Sequence, residues 1–444
     1  MKKIASKILL MAALMAGLCS CAGDELDYVY DTEVDAGNVK FIKLRADHRT
    51  LLPTGRATMR FYAEAYNILE LPDYTPTMDG DSVIYKPHVV RDTSLIPQSM
   101  LPEGLVRLYD DQGNEYPDFT YSTTDTTPRT VRFHLQAGEL RSDEVSVDIR
   151  PLPDTTQWRD IEVPIIFHVL NPTEQVGVAQ ITITESDIDK CIDRLNQVFA
   201  GQASTDPNGW NTHITFSPAL YDNDGAKLTH PGYHAVTVSS KTAITDDEGY
   251  QNYVMEHKEL IFDYTRFLNV WVVNNKKGSS SIASAPNVID NDEHPIPGLT
   301  PGTIDAEFPQ KATDVGLFVN MSYMINPNQQ TDHYEFASTV ARHLGLLPTM
   351  AYRSLGTTNM VDGDTDYCND TPYYWNLTQS VFKNNAESTK PGSGTMYFTS
   401  YNVMDSYSYK NSITADQCAR LQLVLGHCPS RWYWKSRFAF TGRE

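Results

Sequence analysis

Residues 338–348 constrain the fold more than any other segment of this chain, and they read STVARHLGLLP. Apolar residues recur through and just before this segment at intervals of three or four: Phe336, Val340, Leu344 and Leu347. That spacing places them on one face of a helix, and Gly345 supplies the positive-φ conformation in which such a helix ends. The segment therefore predicts a helix that packs one face against a core and ends at Gly345.

The same segment has the frame of a zinc-binding helix without its ligands. In HExxHxxGxxH, two histidines one turn apart bind zinc, the glutamate activates water, and the glycine turns the chain toward a third histidine. Alignment on Gly345 places Ser338, Thr339, Arg342 and Pro348 at these four positions. None binds zinc as imidazole does, and a guanidinium repels the ion. We predict no catalytic residue here; one hypothesis is that Arg342 fills the metal position with its own charge.

Segments before and after the predicted helix also resemble parts of a known family. The predicted helix is followed by Cys368-Asn-Asp-Thr-Pro372 and by Tyr401-Asn-Val-Met-Asp405, and preceded by the apolar runs Val163–Val169 and Phe267–Val272. From residue 158 to about residue 430 the chain resembles the metzincin metallopeptidases of the pappalysin and cytophagalysin branch. It is similar in particular to zinc-dependent metalloproteinase lipoproteins of Bacteroides-type bacteria. The resemblance implies an α/β (α+β) zincin-like fold and a methionine turn at Met404.

Two classes of function follow from this combination. Because the departures fall on the zinc ligands and the general base together, we expect a pseudopeptidase that binds a peptide or protein in its cleft and needs no cofactor. The alternative is an active zinc-dependent metalloendopeptidase whose ligands lie elsewhere in the chain. A third reading is an adhesin-like protein that binds through its first folded domain.

The N-terminus predicts export and lipidation. Residues 1–20 combine a basic start, an apolar run from Ile8 to Leu18 and the tetrad Leu18-Cys-Ser-Cys21, which resembles a bacterial lipobox. Acylation of Cys21 would anchor the chain to a membrane, and Cys19 fits the lipobox poorly. Residues 21–37 form an acidic tether that resembles a surface-export tag. We expect an outer-membrane lipoprotein exposed on the cell surface; the periplasm-facing orientation is the alternative.

Alternation of apolar and polar residues dominates residues 38–150. Val131, Phe133 and Leu135 alternate with Arg132 and His134, as in half-buried strands. We predict an all-β immunoglobulin-like sandwich over residues 38–150, serving as a spacer or as a binding module. Residues 151–157 contain Pro151 and Pro153 and predict a linker. Residues 158–444 then form the metzincin-like domain.

Local signals place several elements of that second domain. Ser186 is predicted to cap a helix with an apolar stripe from Ile188 to Phe199, and Thr414 with Gln417 forms a capping box before the last helix. Strands are predicted near His213–Phe216, at Phe267–Val273 and at Val315–Val319.

Cysteines and charged residues give further expectations. Outside the cell, one or two disulfides are expected among Cys191, Cys368, Cys418 and Cys428, with the pairing left open. The formal charge of -20 disfavours nucleic acid as a partner. An acidic loop with the oxygen chemistry of a calcium site follows the predicted helix, and an acidic turn that caps itself is the equal alternative. Its carboxylates are Asp362, Asp364, Asp366 and Asp370.

The histidines are interpreted as structural. His230 and His234 are predicted in a loop, because Pro231 and Gly232 between them prevent a shared helix. His168 is predicted as a satisfied core histidine on a strand. His343 lies one residue past the second ligand position, so its ring is predicted to point away from any metal.

Overall fold

The computed structural model describes fourteen parts of the chain: residues 37, 39–79, 82–172, 182–238, 244, 246–274, 281–290, 295–324, 335–352, 366–371, 374–376, 385–390, 394–405 and 410–444. The predicted signal peptide, Cys21 and nearly all of the acidic tether lie outside these residues, as do Asp362 and Asp364. Among the described residues, no helix is both long and apolar enough to span a membrane.

The regular elements described between residues 39 and 149 are strands, as predicted, apart from a short 3-10 turn at Gln98–Met100. The strands are β1 (Phe41–Ala46), β2 (Thr50–Leu51), β3 (Met59–Asp79), β4 (Ser82–Leu95), β5 (Arg107–Asp110), β6 (Thr120–Tyr121), β7 (Arg129–Ala137), β8 (Leu140–Arg141) and β9 (Val145–Ile149). One sheet has the order β1-β3-β4 with β6 on β3, and another has the order β2-β9-β7-β5 with β8 on β7. The immunoglobulin-like sandwich stays a prediction.

The predicted alternation along β7 fails at one residue. Val131, Phe133 and Leu135 are buried and Arg132 is exposed, as expected. His134 is also buried, because its ring stacks on Tyr109 with the ring centroids 5.9 Å apart. An aromatic neighbour therefore covers a face that the alternation assigned to solvent.

Contacts between residues divide the chain into two compact units. The first comprises the described residues up to Lys43 and those of Ala63–Arg107 and Leu135–Asp143. Its main element is the antiparallel hairpin of β3 and β4, which pairs continuously from Tyr66 with Leu95 to Asp79 with Ser82.

The second unit comprises Leu44–Tyr62, Leu108–His134 and Glu144–Glu444. Its main sheet has the order β11-β10-β13-β15-β14, with β12 also on β10. These strands are β10 (Ile161–Pro172), β11 (Ile214–Pro218), β12 (Tyr233–Val238), β13 (Leu268–Val273), β14 (Ser281–Ala283) and β15 (Gly316–Asn320). All pairs are parallel except β14 with β15. Short strand pairs are formed by β16 (Met350–Tyr352) with β17 (Tyr374–Asn376), and by β18 (Asn385–Lys390) with β19 (Gly394–Thr399).

The helices of this unit are Glu185–Phe199, Asp247–Glu256, Met321–Met324, Glu335–His343, Ala415–His427 and Phe438–Thr441. Further 3-10 turns lie at Lys258–Leu260, Ala312–Asp314 and Pro429–Lys435. Helix Glu185–Phe199 is capped by Thr184, whose side chain accepts from the N–H of Asp187, and not by the predicted Ser186. A capping box at Thr184 and Asp187 satisfies two backbone donors at once, which explains the earlier start.

One apolar core joins the sheet to three helices. It is built from β10, β13 and β15 together with helices Glu185–Phe199, Glu335–His343 and Ala415–His427. Every residue of β13 is buried, as expected of a central parallel strand covered on both faces. The strands predicted around His213, Phe267 and Val315 are confirmed, and the second unit has the α/β character that the sequence predicts.

Candidate functional site

The predicted helix of the zinc-like segment is confirmed and runs from Glu335 to His343; we call it the motif helix. Its apolar face, including Phe336 and Val340, lies in the core. Gly345 follows with a φ of 115°, and a Cβ atom there would lie 2.7 Å from Cγ1 of Val424. Glycine is therefore required both by the backbone and by the close approach of helix Ala415–His427.

The residues at the first two motif positions are held by hydrogen bonds. The hydroxyl of Thr339 bonds that of Ser281, the first residue of β14. The Nζ of Lys410 donates to the Oγ of Ser338 over 3.5 Å. Thr339 and Lys410 are buried, and Ser338 is half-buried. An ammonium group thus lies beside the position that a histidine ligand occupies in the aligned motif.

Arg342 does not fill the metal position, so that hypothesis is wrong. Its side chain is exposed on the solvent side of the motif helix, while Lys410 is the cation that contacts Ser338. A guanidinium keeps its hydration at the surface and avoids the cost of burial. Pro348 is half-buried beyond the end of the helix.

His343 turns into the core, as its register predicts. Its side chain is fully buried, and neither ring nitrogen has a hydrogen-bond partner in the described part of the chain. Burial lowers the pKa of His343 well below its usual value, and the nearby charge of Arg431 lowers it further. The ring is therefore neutral at physiological pH.

The predicted methionine turn lies beneath the motif helix in the same core. Met404 is buried, and its N–H donates to the Oδ1 of Asn402 over 2.9 Å. Asn402 in turn exchanges two hydrogen bonds with the side chain of Gln417, at 2.7 and 3.1 Å. These bonds tie the turn to the first turn of helix Ala415–His427.

Asp405 is a buried polar residue next to Met404 whose role in the packing the sequence did not predict. Its buried carboxylate accepts from the hydroxyls of Ser400 and Thr349. Burial raises the pKa of Asp405 to about 6, although these hydrogen bonds and the charge of Lys410 act to lower it. The available signal was the position of Asp405 directly after Met404 in the predicted methionine turn. For Lys410 there was no signal, since 72 residues separate it from Ser338.

Two of the four candidate calcium ligands can be located, and both are engaged in hydrogen bonds. Asp366 accepts from the Thr371 hydroxyl at 2.6 Å and from the Cys368 N–H at 3.3 Å. Asp370 accepts from the Thr414 hydroxyl at 2.7 Å and pairs with Arg150 at 2.9 Å. The bonds of Asp366 lie within its own turn, as in the alternative of an acidic turn that caps itself, whereas those of Asp370 reach residues distant in the chain.

Burial also raises the pKa values of these two carboxyls. The pKa of Asp366 rises to about 7, because the cost of burial outweighs its hydrogen bonds. The pKa of Asp370 rises to about 6 through burial and the charge of Asp416, against the effect of Arg150.

The expected disulfides are not found. The four cysteines Cys191, Cys368, Cys418 and Cys428 are buried, and no disulfide joins them. Cys191 and Cys418 belong to the main apolar core, and Cys428 packs in a smaller cluster with Val424. Each thiol serves as a small apolar side chain in the packing, which satisfies it without a covalent bond.

His168 and His234 form a pair in which His168 is buried and His234 is half-buried. His234 lies on β12 and not in the predicted loop, because its parallel register with β10 places it opposite His168. The two Nδ1 atoms lie 2.8 Å apart, and the Nε2 of His168 lies 3.0 Å from the Oδ1 of Asn269. Burial lowers the pKa of His168 to about 3. As predicted, His168 is satisfied in the core.

Zinc does not fit the residues at the motif positions. Neutral hydroxyls, a guanidinium and a proline offer none of the imidazole or thiolate groups that bind this ion. Among the described residues, no group of three or more His, Cys, Asp or Glu side chains lies close enough together to hold a metal ion.

Comparisons with known proteins give structural similarities alone. Mature mirolysin of Tannerella forsythia in complex with a cleaved peptide is 20% identical over 64% of this chain and 99% of its own, with a TM-score of 0.42. Mirolysin in complex with compound 9 is 19% identical over 64% of this chain and 98% of its own, with a TM-score of 0.41. A promirolysin mutant from Tannerella forsythia is 18% identical over 64% of this chain and 88% of its own, with a TM-score of 0.40. No protein-family profile and no curated protein matches.

Proposed function

We propose that this chain is a cell-envelope lipoprotein whose metzincin-like domain binds an extended peptide without hydrolysing it. The observation that carries the proposal is the state of the motif helix, where Ser338 and Thr339 hydrogen-bond to Lys410 and Ser281. Hydrolysis by this kind of site depends on a zinc-activated water and a general base. A threonine hydroxyl is not a base at neutral pH, and zinc does not fit here.

The edge of the main sheet supports peptide binding. Strand β14 ends the strand order and runs antiparallel to β15. Its residues are half-buried, and Ser281 bonds the motif helix. An extended peptide can add to such an edge through main-chain hydrogen bonds, a recurrent mode of recognition.

Lys410 supports the choice of a carbonyl-bearing ligand. Its buried ammonium lies beside Ser338, so positive charge is present at the motif helix without a metal. A fixed cation of this kind attracts the partial negative charge of a peptide carbonyl. It supplies no coordinated water, which is consistent with binding in place of hydrolysis.

Zinc content and peptide cleavage test the inactive character. Residues 22–444 are dialysed against zinc at neutral pH, and the metal content is measured by elemental analysis. The same protein is incubated with a random decapeptide pool, and products are sought by mass spectrometry. We expect well under one zinc per chain and no cleavage. One tightly held zinc with chelator-sensitive cleavage would establish the active metalloendopeptidase instead.

Peptide binding tests the other half of the proposal. Fluorescence anisotropy with a labelled decapeptide pool is expected to show saturable binding to the intact chain. Lys410→Met is expected to weaken it about tenfold, since a charge-assisted hydrogen bond contributes roughly 1.5 kcal/mol or more. Arg342→Met is the matched control at an exposed cation and should leave the affinity unchanged. Absence of binding to the wild-type chain would contradict the proposal.

A further inference from the structure

Arg431 is a fully buried cation held only by neutral groups. It lies in the 3-10 turn Pro429–Lys435, and its side chain has no exposed surface. Its Nε donates to the carbonyl of His343 over 2.8 Å, and its Nη1 donates to the carbonyl of Asp314 over 2.6 Å. The same Nη1 lies 3.2 Å from both the carbonyl and the hydroxyl of Ser430.

The remaining nitrogen of this guanidinium is unsatisfied. Within the described part of the chain, Nη2 of Arg431 has no hydrogen-bond partner. Asp314 directs its carboxylate to the N–H groups of Gln310 and Lys311, each at 3.0 Å, so that only its carbonyl meets Arg431. A guanidinium stays charged in proteins, and a buried ion without a counter-charge costs several kcal/mol.

Two residues close to Arg431 also carry buried polar groups without partners. The hydroxyl of Tyr433 and both ring nitrogens of His343 are buried and lack hydrogen-bond partners among the described residues. Tyr433 lies two residues after Arg431 in the same 3-10 turn, and the charge of Arg431 opposes the rise that burial causes in the pKa of Tyr433. Arg431 also acts on the ring of His343, whose carbonyl it binds. A neutral imidazole always has one N–H to donate.

We propose that a chloride ion binds in the interior beside Nη2 of Arg431, with the Tyr433 hydroxyl and an N–H of His343 as further donors. A monoatomic anion suits an enclosed site in which the groups without partners include a guanidinium and a hydroxyl. It would supply the missing counter-charge where Arg431 ties the end of the motif helix to the 3-10 turn before β15. The site is independent of peptide binding.

Thermal unfolding at constant ionic strength tests the site. Chloride is exchanged stepwise for gluconate in otherwise identical buffers, with residues 22–444 at one concentration. A ligand that binds only the folded state raises the midpoint with the logarithm of its concentration once the site fills. We expect this rise for the wild-type chain and for Arg437→Met, an exposed arginine as the matched control. Arg431→Met should abolish it.

Two further measurements keep the inference testable if Arg431→Met does not fold. Tyr433→Phe removes a single hydroxyl from the site and should weaken the dependence on chloride. Crystals grown in bromide should show an anomalous peak beside Nη2 of Arg431. Equal midpoints in chloride and gluconate, together with no anomalous peak, would overturn the proposal and assign any density there to water.

Discussion

Single residues in this protein are constrained by the neighbours that tertiary structure brings to them. Gly345 ends the motif helix where Val424 leaves no space for a side chain, and Lys410 donates to Ser338 from a position 72 residues further along the chain. Three carboxyls with raised pKa values, those of Asp366, Asp370 and Asp405, lie in the buried segments around that turn. The residues whose charges and hydrogen bonds matter most at this site are therefore buried polar residues.

Replacing Gly345 tests the tight end of the motif helix. Gly345→Ala combines backbone strain at positive φ with a clash against Val424, and we expect a loss of about 2–4 kcal/mol of unfolding free energy. Gly426→Ala is the control, because a Cβ there meets no atom within 4 Å and alanine favours a helix by about 0.5–1 kcal/mol. Urea unfolding measures both, and equal stability of the two variants would contradict this account.

The raised carboxyl pKa values predict a stability that falls as pH rises. The folded state binds these protons more tightly than the unfolded chain, whose aspartate pKa is about 3.9. Their contribution is complete below about pH 4 and is lost as pH rises through about 6 to 7. Each carboxyl contributes a slope of at most about 1.4 kcal/mol per pH unit.

Asp366→Asn should remove the contribution of one carboxyl to the dependence of stability on pH. We expect the variant to gain stability relative to the wild-type chain between pH 4 and pH 7, because it never has to bury that charge. Asp193→Asn, at an exposed position, is the control and should run parallel to the wild type. Unfolding in urea at several pH values measures the difference, and a pH-independent effect of Asp366→Asn would refute the assignment.

At the scale of elements, two helices begin with the same capping motif, which is exposed in one helix and buried in the other. Thr184 and Thr414 each form a capping box, with Asp187 and Gln417 as the partners. Thr184 is exposed, whereas Thr414 is buried and also donates to Asp370. Because Asp370 pairs with Arg150, which directly follows β9, the second cap belongs to a network that links separate elements.

The two caps should therefore contribute different amounts to the free energy of unfolding. Thr184→Ala should cost about 0.5–1 kcal/mol, the usual loss for an exposed cap. Thr414→Ala should cost about 2–4 kcal/mol, because it also removes the hydroxyl that donates to Oδ1 of the buried Asp370. Chemical denaturation of the two variants makes the comparison, and equal losses would show that the buried network adds nothing.

At the scale of the whole molecule, we propose that a lipid anchor holds a peptide-binding domain at the membrane. The parallel sheet, its antiparallel edge strand and the motif helix form one packed unit with residues of β2, β7 and β9. Attachment of this unit to an outer membrane depends on the lipobox-like tetrad at Leu18–Cys21. That attachment remains a prediction from the sequence.

Acylation at Cys21 can be tested with an internal control. Metabolic labelling with radioactive palmitate in a Gram-negative host should label the wild-type chain and Cys19→Ala. Cys21→Ala should lose the label and leave the membrane fraction. Labelling of Cys21→Ala with loss from Cys19→Ala would move the anchor to the other cysteine. Protease treatment of intact cells then distinguishes a surface-exposed from a periplasm-facing protein.

The elements predicted correctly are those encoded by neighbouring residues. The apolar spacing before Gly345, the capping box at Thr414 and the continuous apolar run at Leu268–Val273 each report a local geometric requirement. The frame of the zinc-like segment and its missing ligands could be identified in the same way. Errors arose where a neighbour distant in sequence decided the outcome, as when Tyr109 covers His134.

The sequence by itself thus determined the helix of the motif, the all-β character of residues 39–149 and the absence of zinc-type ligands at the motif positions. Only the tertiary structure decided which cation meets Ser338, that Arg342 faces solvent, and that no disulfide joins the four cysteines. The physical reason is that helix periodicity and capping act within a few residues. The burial of a charge depends on partners such as Asp370 and Arg150, which lie far apart in the chain and meet only in the packed fold.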